Sequence, residues 1–365
     1  MKVALLISSL RPGGAERVAS IAANYWARKG WEVILFTLSG GEEPLFYDLD
    51  PAVLRVPLDI SWLSRNPLQG LFNNLRRVWR IRREMAKARP DVLISFMDTT
   101  NILAILATRG LGVPIVASER SNPVAQTPKT GWRLLRDFLY SRADAVVTQT
   151  ERARACFPAP VQARCVVIPN PVLAPAFASD REEVVVPRPA LVAVGRLSGE
   201  KGFDLLIAAF ASLLVHHPDW HLVIAGEGAE RPQLERQIEA LGIRDETLLP
   251  GRVRNPEQLL RQCEIFVLSS LYEGFPNSLC EAMACGLPVV SFDCPFGPAE
   301  IVRNGIDGIL VPQGNLSALV EALDRLMGDE GERRRLAQRA PEILERFGLE
   351  SVMGMWEQLL RGTAR

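Results

Sequence analysis

The apolar positions of this chain come in short unbroken runs, separated by stretches in which they recur at helical spacing. Residues 3–7, 33–36, 91–96, 114–118, 145–148 and 165–168 are such runs, bounded by turn residues, and they read as buried parallel strands. A helix ending near Lys29 follows the first run and closes at Gly30. Residues 173–189, with a short acidic run and several prolines, read as a linker. The pattern then restarts with runs at 191–194, 222–225, 265–268 and 289–292. Strand alternating with helix, twice over, predicts an α/β chain of two doubly wound, Rossmann-like domains, 1–170 and 171–345, with a last helical segment at 346–365.

Residues 265–292 form one complete strand–loop–helix–strand unit. Leu279, Ala282, Met283 and Gly286 recur at helical spacing, and Gly286 followed by Pro288 stops the helix. The loop before that helix lies past a strand's carboxyl end, where open α/β sheets bind ligands. Two glutamates frame it. Glu281 has two readings: Ser278 and Glu281 fit a capping box, with Asn277 as an alternative cap, or the carboxylate takes a bidentate bond from two ribose hydroxyls. Glu273 is either a solvated loop residue or faces a sugar hydroxyl. On the functional reading, phosphates lie against N–H groups at the helix N-terminus.

The run from Glu273 through Glu281 to Ser291 resembles the donor-binding signature of family 4 retaining glycosyltransferases with the GT-B fold. That resemblance implies two domains facing across a cleft, and a donor site that includes Glu273, Phe275, Pro276, Asn277, Ser278, Leu279 and Glu281. A second motif is Gly195-Arg196-Leu197-Ser198-Gly199-Glu200-Lys201-Gly202. Two cations and several glycines between a strand and a helix suit a diphosphate, Arg giving a planar fork and Lys a point charge. Family members share this pattern, which implies that Arg196 and Lys201 hold the diphosphate and neutralise it as it leaves.

Gly13-Gly14 follows the first strand without the spacing of a dinucleotide fingerprint; it reads as a tight turn needing positive φ or as a ligand contact. The resemblance implies that both glycines lean over the donor's phosphates. It also makes Leu248-Leu249-Pro250-Gly251-Arg252-Val253 the loop that cups the base, and Gly226-Glu227-Gly228 a third glycine turn. Position 231 is Arg, which argues against a dinucleotide site. Residues 347–360, with Trp356, resemble the terminal helix that returns to the first domain. Many relatives carry a histidine near residue 119, against the donor sugar, but the first half of this chain has none. Its Ser118-Glu119-Arg120-Ser121-Asn122 loop resembles the subgroup of polysaccharide and lipid-linked oligosaccharide transferases, which makes Glu119 the candidate replacement.

Charge changes this picture. The chain has 42 Lys+Arg and 42 Asp+Glu, yet residues 1–175 carry a net +9 and residues 176–365 a net −9. A basic first half favours an anionic partner there. Residues 71–89 concentrate that charge: Leu71, Phe72, Leu75, Val78, Trp79 and Met85 fall near one stripe, with Arg76, Arg77, Arg80, Arg82, Arg83, Lys87 and Arg89 around it. Such a helix reads as a surface for anionic lipid, or as a domain helix with its apolar face in the core and its arginines in solvent. Nucleic acid is disfavoured, since no aromatic stacking platform accompanies the charge.

The six cysteines form no C-x-x-C pair and the three histidines fall within 216–221, so zinc and haem motifs are absent and a reducing cytoplasm is expected. Asp48-Leu49-Asp50 has a metal-site spacing, but two carboxylates in a loop beside Pro51 make a poor cage for magnesium. No cofactor and no metal are expected. No apolar stretch reaches the length of a membrane span, and the first run ends too early for a signal peptide.

Taken with the resemblance, these residues imply a retaining glycosyltransferase. It would move a sugar from a nucleoside-diphosphate sugar, with UDP expected, to a glycan or polyprenyl-linked acceptor at the inner face of a membrane. Two alternatives remain at this level, an epimerase-like enzyme acting on the sugar-nucleotide and a noncatalytic sugar-nucleotide-binding module.

Overall fold

The computed structural model describes residues 1–42, 45–62, 66–120, 130–175 and 184–364. Ser121 and Asn122 of the loop singled out above, and much of the expected linker, lie outside the described residues. The chain divides into two compact units, Met1–Asn170 together with Val352–Arg365, and Pro171–Ser351.

The sheet of the first unit contains β1 (Lys2–Ile7), β2 (Glu32–Thr37), β3 (Leu54–Pro57), β4 (Val92–Phe96), β5 (Ile115–Ser118), β6 (Ala145–Thr148) and β7 (Cys165–Val167). Their order is β3-β2-β1-β4-β5-β6-β7, and every pairing is parallel. Residues Val3 to Ile7 are fully buried, as a strand covered by helices on both faces requires. The topology reverses between β1 and β4, so the carboxyl ends of β1, β4 and β5 flank the crevice that doubly wound sheets leave open. The pattern reading missed β3, a short edge strand with no apolar run and an exposed Leu54.

Alternate residues of these strands feed separate layers. Ala4, Leu6, Ile34, Phe36 and Leu93 share a cluster with residues of three helices, Pro67–Ala88, Asp98–Thr108 and Thr130–Tyr140, which therefore cover one face of the sheet. The helix Leu349–Thr363 docks beside Gly14–Arg28. Trp356 meets Trp26 edge-on with centroids 6.4 Å apart, Trp26 stacks on Trp31 at 5.6 Å, and Lys29 pairs with Glu357 at 2.7 Å.

The helix Pro67–Ala88 departs from the reading that sends its whole apolar face into the core. Ile81 and Met85 are buried and Val78 packs with them, but Leu68, Leu71, Phe72, Leu75 and Trp79 are exposed, Trp79 by 60% and Leu68 by 81%. At ~100° per residue these sets occupy adjacent arcs of one broad apolar surface, and the core covers only one of them. The apolar stripe is thus divided between core and solvent.

The second unit repeats the architecture with β8 (Ala190–Val194), β9 (His221–Ala225), β10 (Thr247–Gly251), β11 (Ile265–Leu268), β12 (Val289–Asp293) and β13 (Gly308–Pro312), in the order β10-β9-β8-β11-β12-β13, all parallel. Its topology reverses between β8 and β11. Arg346 and Phe347 belong to this unit: the guanidinium donates to the Ile301 carbonyl at 2.7 Å, and the ring packs edge-on against Phe275 at 5.8 Å.

Candidate functional site

The loops after β8 and β11 meet at the reversal of the second sheet. After β8 the chain runs Gly195 to Ser198, makes a 3₁₀ turn at Gly199–Lys201, and enters the helix Phe203–Leu213 at Gly202. The Lys201 ammonium donates to Glu273 Oε1 at 2.7 Å, with the two side chains 18% and 9% exposed. Ser269 Oγ donates to the Lys201 carbonyl at 2.9 Å, and Leu271 N–H to the Glu200 carbonyl at 2.8 Å. Gly202 makes this approach possible. Its φ is +59°, and a Cβ there would lie 2.3 Å from the Ser269 carbonyl oxygen.

Two further loops interlock with these. Gly195 N–H donates to the Ala225 carbonyl, Leu197 N–H to Glu227 and Gly226 N–H to Gly251. Gly226 sits at φ +155°, and a Cβ on it would fall 1.7 Å from the Gly195 carbonyl oxygen. The glycine turn 226–228 is therefore a packing device that seats the cation-bearing loop. Arg196 is exposed and donates to Glu200 at 2.9 Å. Burial works against the Glu200 carboxylate, but hydrogen bonds from Ser198, its own backbone and Arg196 outweigh it and leave the group below its ordinary range.

The helix Asn277–Ala284 starts two residues earlier than a Ser278–Glu281 capping box requires. Its N-cap is Pro276, which has no side-chain acceptor and makes no side-chain cap hydrogen bond. Ser278 is thus inside the helix, and Glu281 lies beyond the first turn rather than in it. This removes the capping explanation for Glu281, whose side chain is partly exposed. Asn277 and Ser278 are also partly exposed, whereas Phe275, Pro276 and Leu279 are buried. The rings and branches of Phe275 and Leu279 belong to the core cluster with Met283, Ile301 and Ile343, so these positions offer a ligand backbone atoms only. The stretch 248–253, expected as a loop, is strand β10 as far as Gly251, and only Arg252, exposed, and Val253, half-buried, lie past its end.

The pattern reading missed Ser269 and the loop after β12. Phe296, nearly buried, adopts φ +65°, and the Cys294 thiol is pushed up to about 12 by burial, with Glu273 adding to the shift and Lys201 opposing it. A serine pair directly after β11 was the available signal for Ser269; nothing local marks Phe296 or Cys294.

In the first unit, Gly13 is the N-cap of Gly14–Arg28 at φ −177°, and neither glycine needs a positive φ, so the tight-turn reading falls. Tyr47 Oη donates to the Gly13 carbonyl at 3.0 Å and anchors the turn. Burial raises the Glu16 carboxyl above its ordinary range, against a backbone hydrogen bond.

Glu119 is 2% exposed and accepts from Tyr140 Oη at 2.8 Å; Asn101 Nδ2 donates to that same oxygen at 2.8 Å, and Ser95 Oγ to Asn101 Oδ1 at 2.7 Å. Burial drives the Tyr140 hydroxyl well above its usual range, with Glu119 reinforcing it. Arg120 donates to Ser118 Oγ and Asn170 Oδ1, and its buried Nη2 finds no hydrogen-bond partner among the described residues. Met97, between β4 and Asp98, takes φ +74°, a conformation that costs on the order of 1–3 kcal/mol. Tyr140, the partner of Glu119, and Asn101, which donates to the Tyr140 hydroxyl, carry no motif and were not legible in the sequence. Asp50 accepts from the Ala52 N–H and from Arg28, and no group of three or more metal-ligating side chains is assembled among the described residues.

Two family models match. Residues 12–173 match Glycosyltransferase Family 4 and residues 178–343 match Glycosyl transferases group 1. A Campylobacter jejuni protein, GalNAc-alpha-(1->4)-GalNAc-alpha-(1->3)-diNAcBac-PP-undecaprenol alpha-1,4-N-acetyl-D-galactosaminyltransferase, is 28% identical over 99% of this chain and 98% of its own length. An alpha-D-kanosaminyltransferase of Streptomyces kanamyceticus is 30% identical over 74% of this chain and 75% of its own. The fold matches that of Anabaena HepE, crystallised with UDP, at a TM-score of 0.82 over 99% of this chain and 100% of that one, with 20% identity. With its two Rossmann-like sheets and the Arg196, Lys201, Glu273 and Glu281 motifs in place, the chain belongs to glycosyltransferase family 4 and is a glycosyltransferase of the GT-B fold.

Proposed function

We propose that this enzyme transfers a sugar, with retention of configuration, from a UDP-sugar to a polyprenyl-diphosphate-linked glycan in the assembly of a cell-surface polysaccharide or glycan. The observation that carries the donor half is the Lys201–Glu273 pair, which sets a cation for diphosphate and a carboxylate for sugar side by side at the reversal of the second sheet. Arg196 and Lys201 neutralise the leaving diphosphate, the first turn of Asn277–Ala284 adds backbone dipoles, and Glu281 takes the ribose hydroxyls. Glu273 faces a sugar hydroxyl once the diphosphate draws Lys201 away. With these charges in place, departure proceeds without a divalent metal. The leaving phosphate takes the proton from the acceptor hydroxyl, on the face from which it departs.

The acceptor class is supported by the Campylobacter relative, whose name places its substrate on undecaprenol diphosphate, and by the basic first half of this chain. Such an acceptor is embedded in a bilayer, and the exposed stripe of Pro67–Ala88 with Arg76, Arg80 and Arg83 suits an anionic one. None of the described helices is long and apolar enough to cross a membrane, and the attachment proposed is a peripheral one. The test is a panel of labelled UDP-sugars incubated with polyprenyl-diphosphate-linked acceptors, with product anomers read by NMR. Transfer with retained configuration is expected. An inverted anomer overturns the mechanism, and transfer only to soluble acceptors overturns the acceptor class.

A further inference from the structure

The helix Thr130–Tyr140 carries a second exposed apolar arc that no sequence motif announces. Leu134 and Phe138 are 63% and 54% exposed, Leu135 is exposed beside them, and Leu139 and Tyr140 on the opposite side are buried in the core. The Arg142 guanidinium lies 3.4 Å over the Phe138 ring and donates to the Phe138 carbonyl at 2.7 Å, so it borders the arc as a cation held in place. Arg133 is exposed on its other side. The helix Pro67–Ala88 is built alike: Arg76 lies 4.5 Å from the Trp62 ring and 5.8 Å from Phe72, and Arg83 lies 5.6 Å from Trp79.

Both helices pack on the same face of the first sheet, with Asp98–Thr108 against each of them. Their buried arcs point into one cluster, so their exposed arcs point away from the sheet on the same side. Leu106 of the intervening helix is exposed as well, and Arg82 ties the arginine helix to it by donating to the Ala107 and Arg109 carbonyls at 3.0 and 2.6 Å. Large apolar side chains grouped this way, rimmed by cations, are unusual on a monomer's surface and mark an interaction site.

We infer that Thr130–Tyr140 is a second membrane-docking element, inserting Leu134 and Phe138 among the acyl chains of an anionic bilayer while Arg133 and Arg142 meet lipid phosphates. This rests on the reading of a membrane-embedded acceptor above and adds to it a two-helix footing. Charge complementarity selects the occupant: the cations bordering both arcs, in the unit whose sequence carries the positive excess, match an anionic lipid surface. Two separated insertion points fix the orientation of the first unit on the bilayer, which one helix alone leaves free to roll.

The experiment is flotation with phosphatidylcholine vesicles, with and without phosphatidylglycerol, using three proteins: wild type, Leu134→Ser/Phe138→Ser, and Arg76→Glu/Arg80→Glu/Arg83→Glu. Sedimentation and UDP titration accompany it. Wild type is expected to float with the anionic vesicles, and the Leu134/Phe138 variant to partition about tenfold more weakly or worse at unchanged UDP affinity. If that variant floats like wild type while the arginine variant stays behind, the second element is overturned and the arginine helix stands alone. If wild type floats with neither vesicle, membrane docking falls altogether. If wild type self-associates and the Leu134/Phe138 variant is monomeric, the arc is covered by a second copy of the chain and the inference is overturned.

Discussion

Lys201 and Glu273 stand 72 positions apart in the chain, and the Lys201 ammonium donates to the Glu273 carboxylate at 2.7 Å. On the proposed function, each is the counter-ion that the other loses when a donor arrives. Removing one leaves its partner largely buried and uncompensated. Lys201→Ala and Glu273→Gln are each expected to lower stability, and the double variant to lose less than the two combined. A coupling of about 0.5–3 kcal/mol in a denaturant-based double-mutant cycle is the expected outcome. A coupling of zero would place the two groups apart in solution.

The same pairing separates the roles of the two glutamates. Glu273→Gln should leave UDP affinity unchanged or improved, since it frees Lys201 for the diphosphate, while turnover falls. Glu281→Gln should weaken free UDP itself, by about 1.5–3 kcal/mol or roughly ten- to a hundredfold. Calorimetry with UDP and steady-state kinetics decide between this and a shared role; equal loss of UDP affinity in both variants contradicts the division.

Arg196 is exposed and, among the described residues, its side chain bonds locally to Glu200, so Arg196→Ala should leave the melting temperature in place and weaken the donor. On the proposed mechanism transfer should also persist in excess EDTA, the cradle-loop cations being assigned the charge neutralisation that a metal would otherwise supply. Activity lost to chelator and restored by magnesium contradicts this.

Gly202→Ala tests the seating of the cradle against β11. The added methyl meets the Ser269 carbonyl at 2.3 Å, at a φ of +59° that alanine rarely adopts. A loss of more than about 1 kcal/mol is expected, with a lower melting temperature and weaker donor binding together. A variant of full stability would show that the two loops separate freely.

Thiol labelling reads the packing of the second unit. Burial raises the Cys294 thiol to about 12 and the Cys263 thiol to about 12, and a raised pKa means the reactive thiolate forms only as pH climbs towards that value. Labelling of both in the folded protein should therefore be negligible at neutral pH and appear only at strongly alkaline pH or on unfolding. Cys156, exposed on the first unit, should react first. Mass spectrometry of alkylated peptides across a pH series gives the order directly.

What the sequence by itself determined is local. Apolar runs of strand length, glycine turns and helix stops are nearest-neighbour signals, so most strands, the two-sheet architecture and the motifs holding Arg196, Lys201, Glu273 and Glu281 were legible without coordinates. The edge strand β3 was not, because an exposed strand carries no apolar run. Tertiary structure decided what covers each side chain. Phe275 and Leu279 sit inside the donor motif, yet the core takes their side chains, and Glu281 loses its capping role because the helix starts at Asn277. The apolar surface of Pro67–Ala88 is divided because spacing fixes which way a side chain points along a helix, but not where the neighbouring layer ends. Glu119 with Tyr140 and Lys201 with Glu273 are pairings between distant segments. Their existence depends on which strands lie side by side, and sheet order is set by long-range packing that no local pattern encodes.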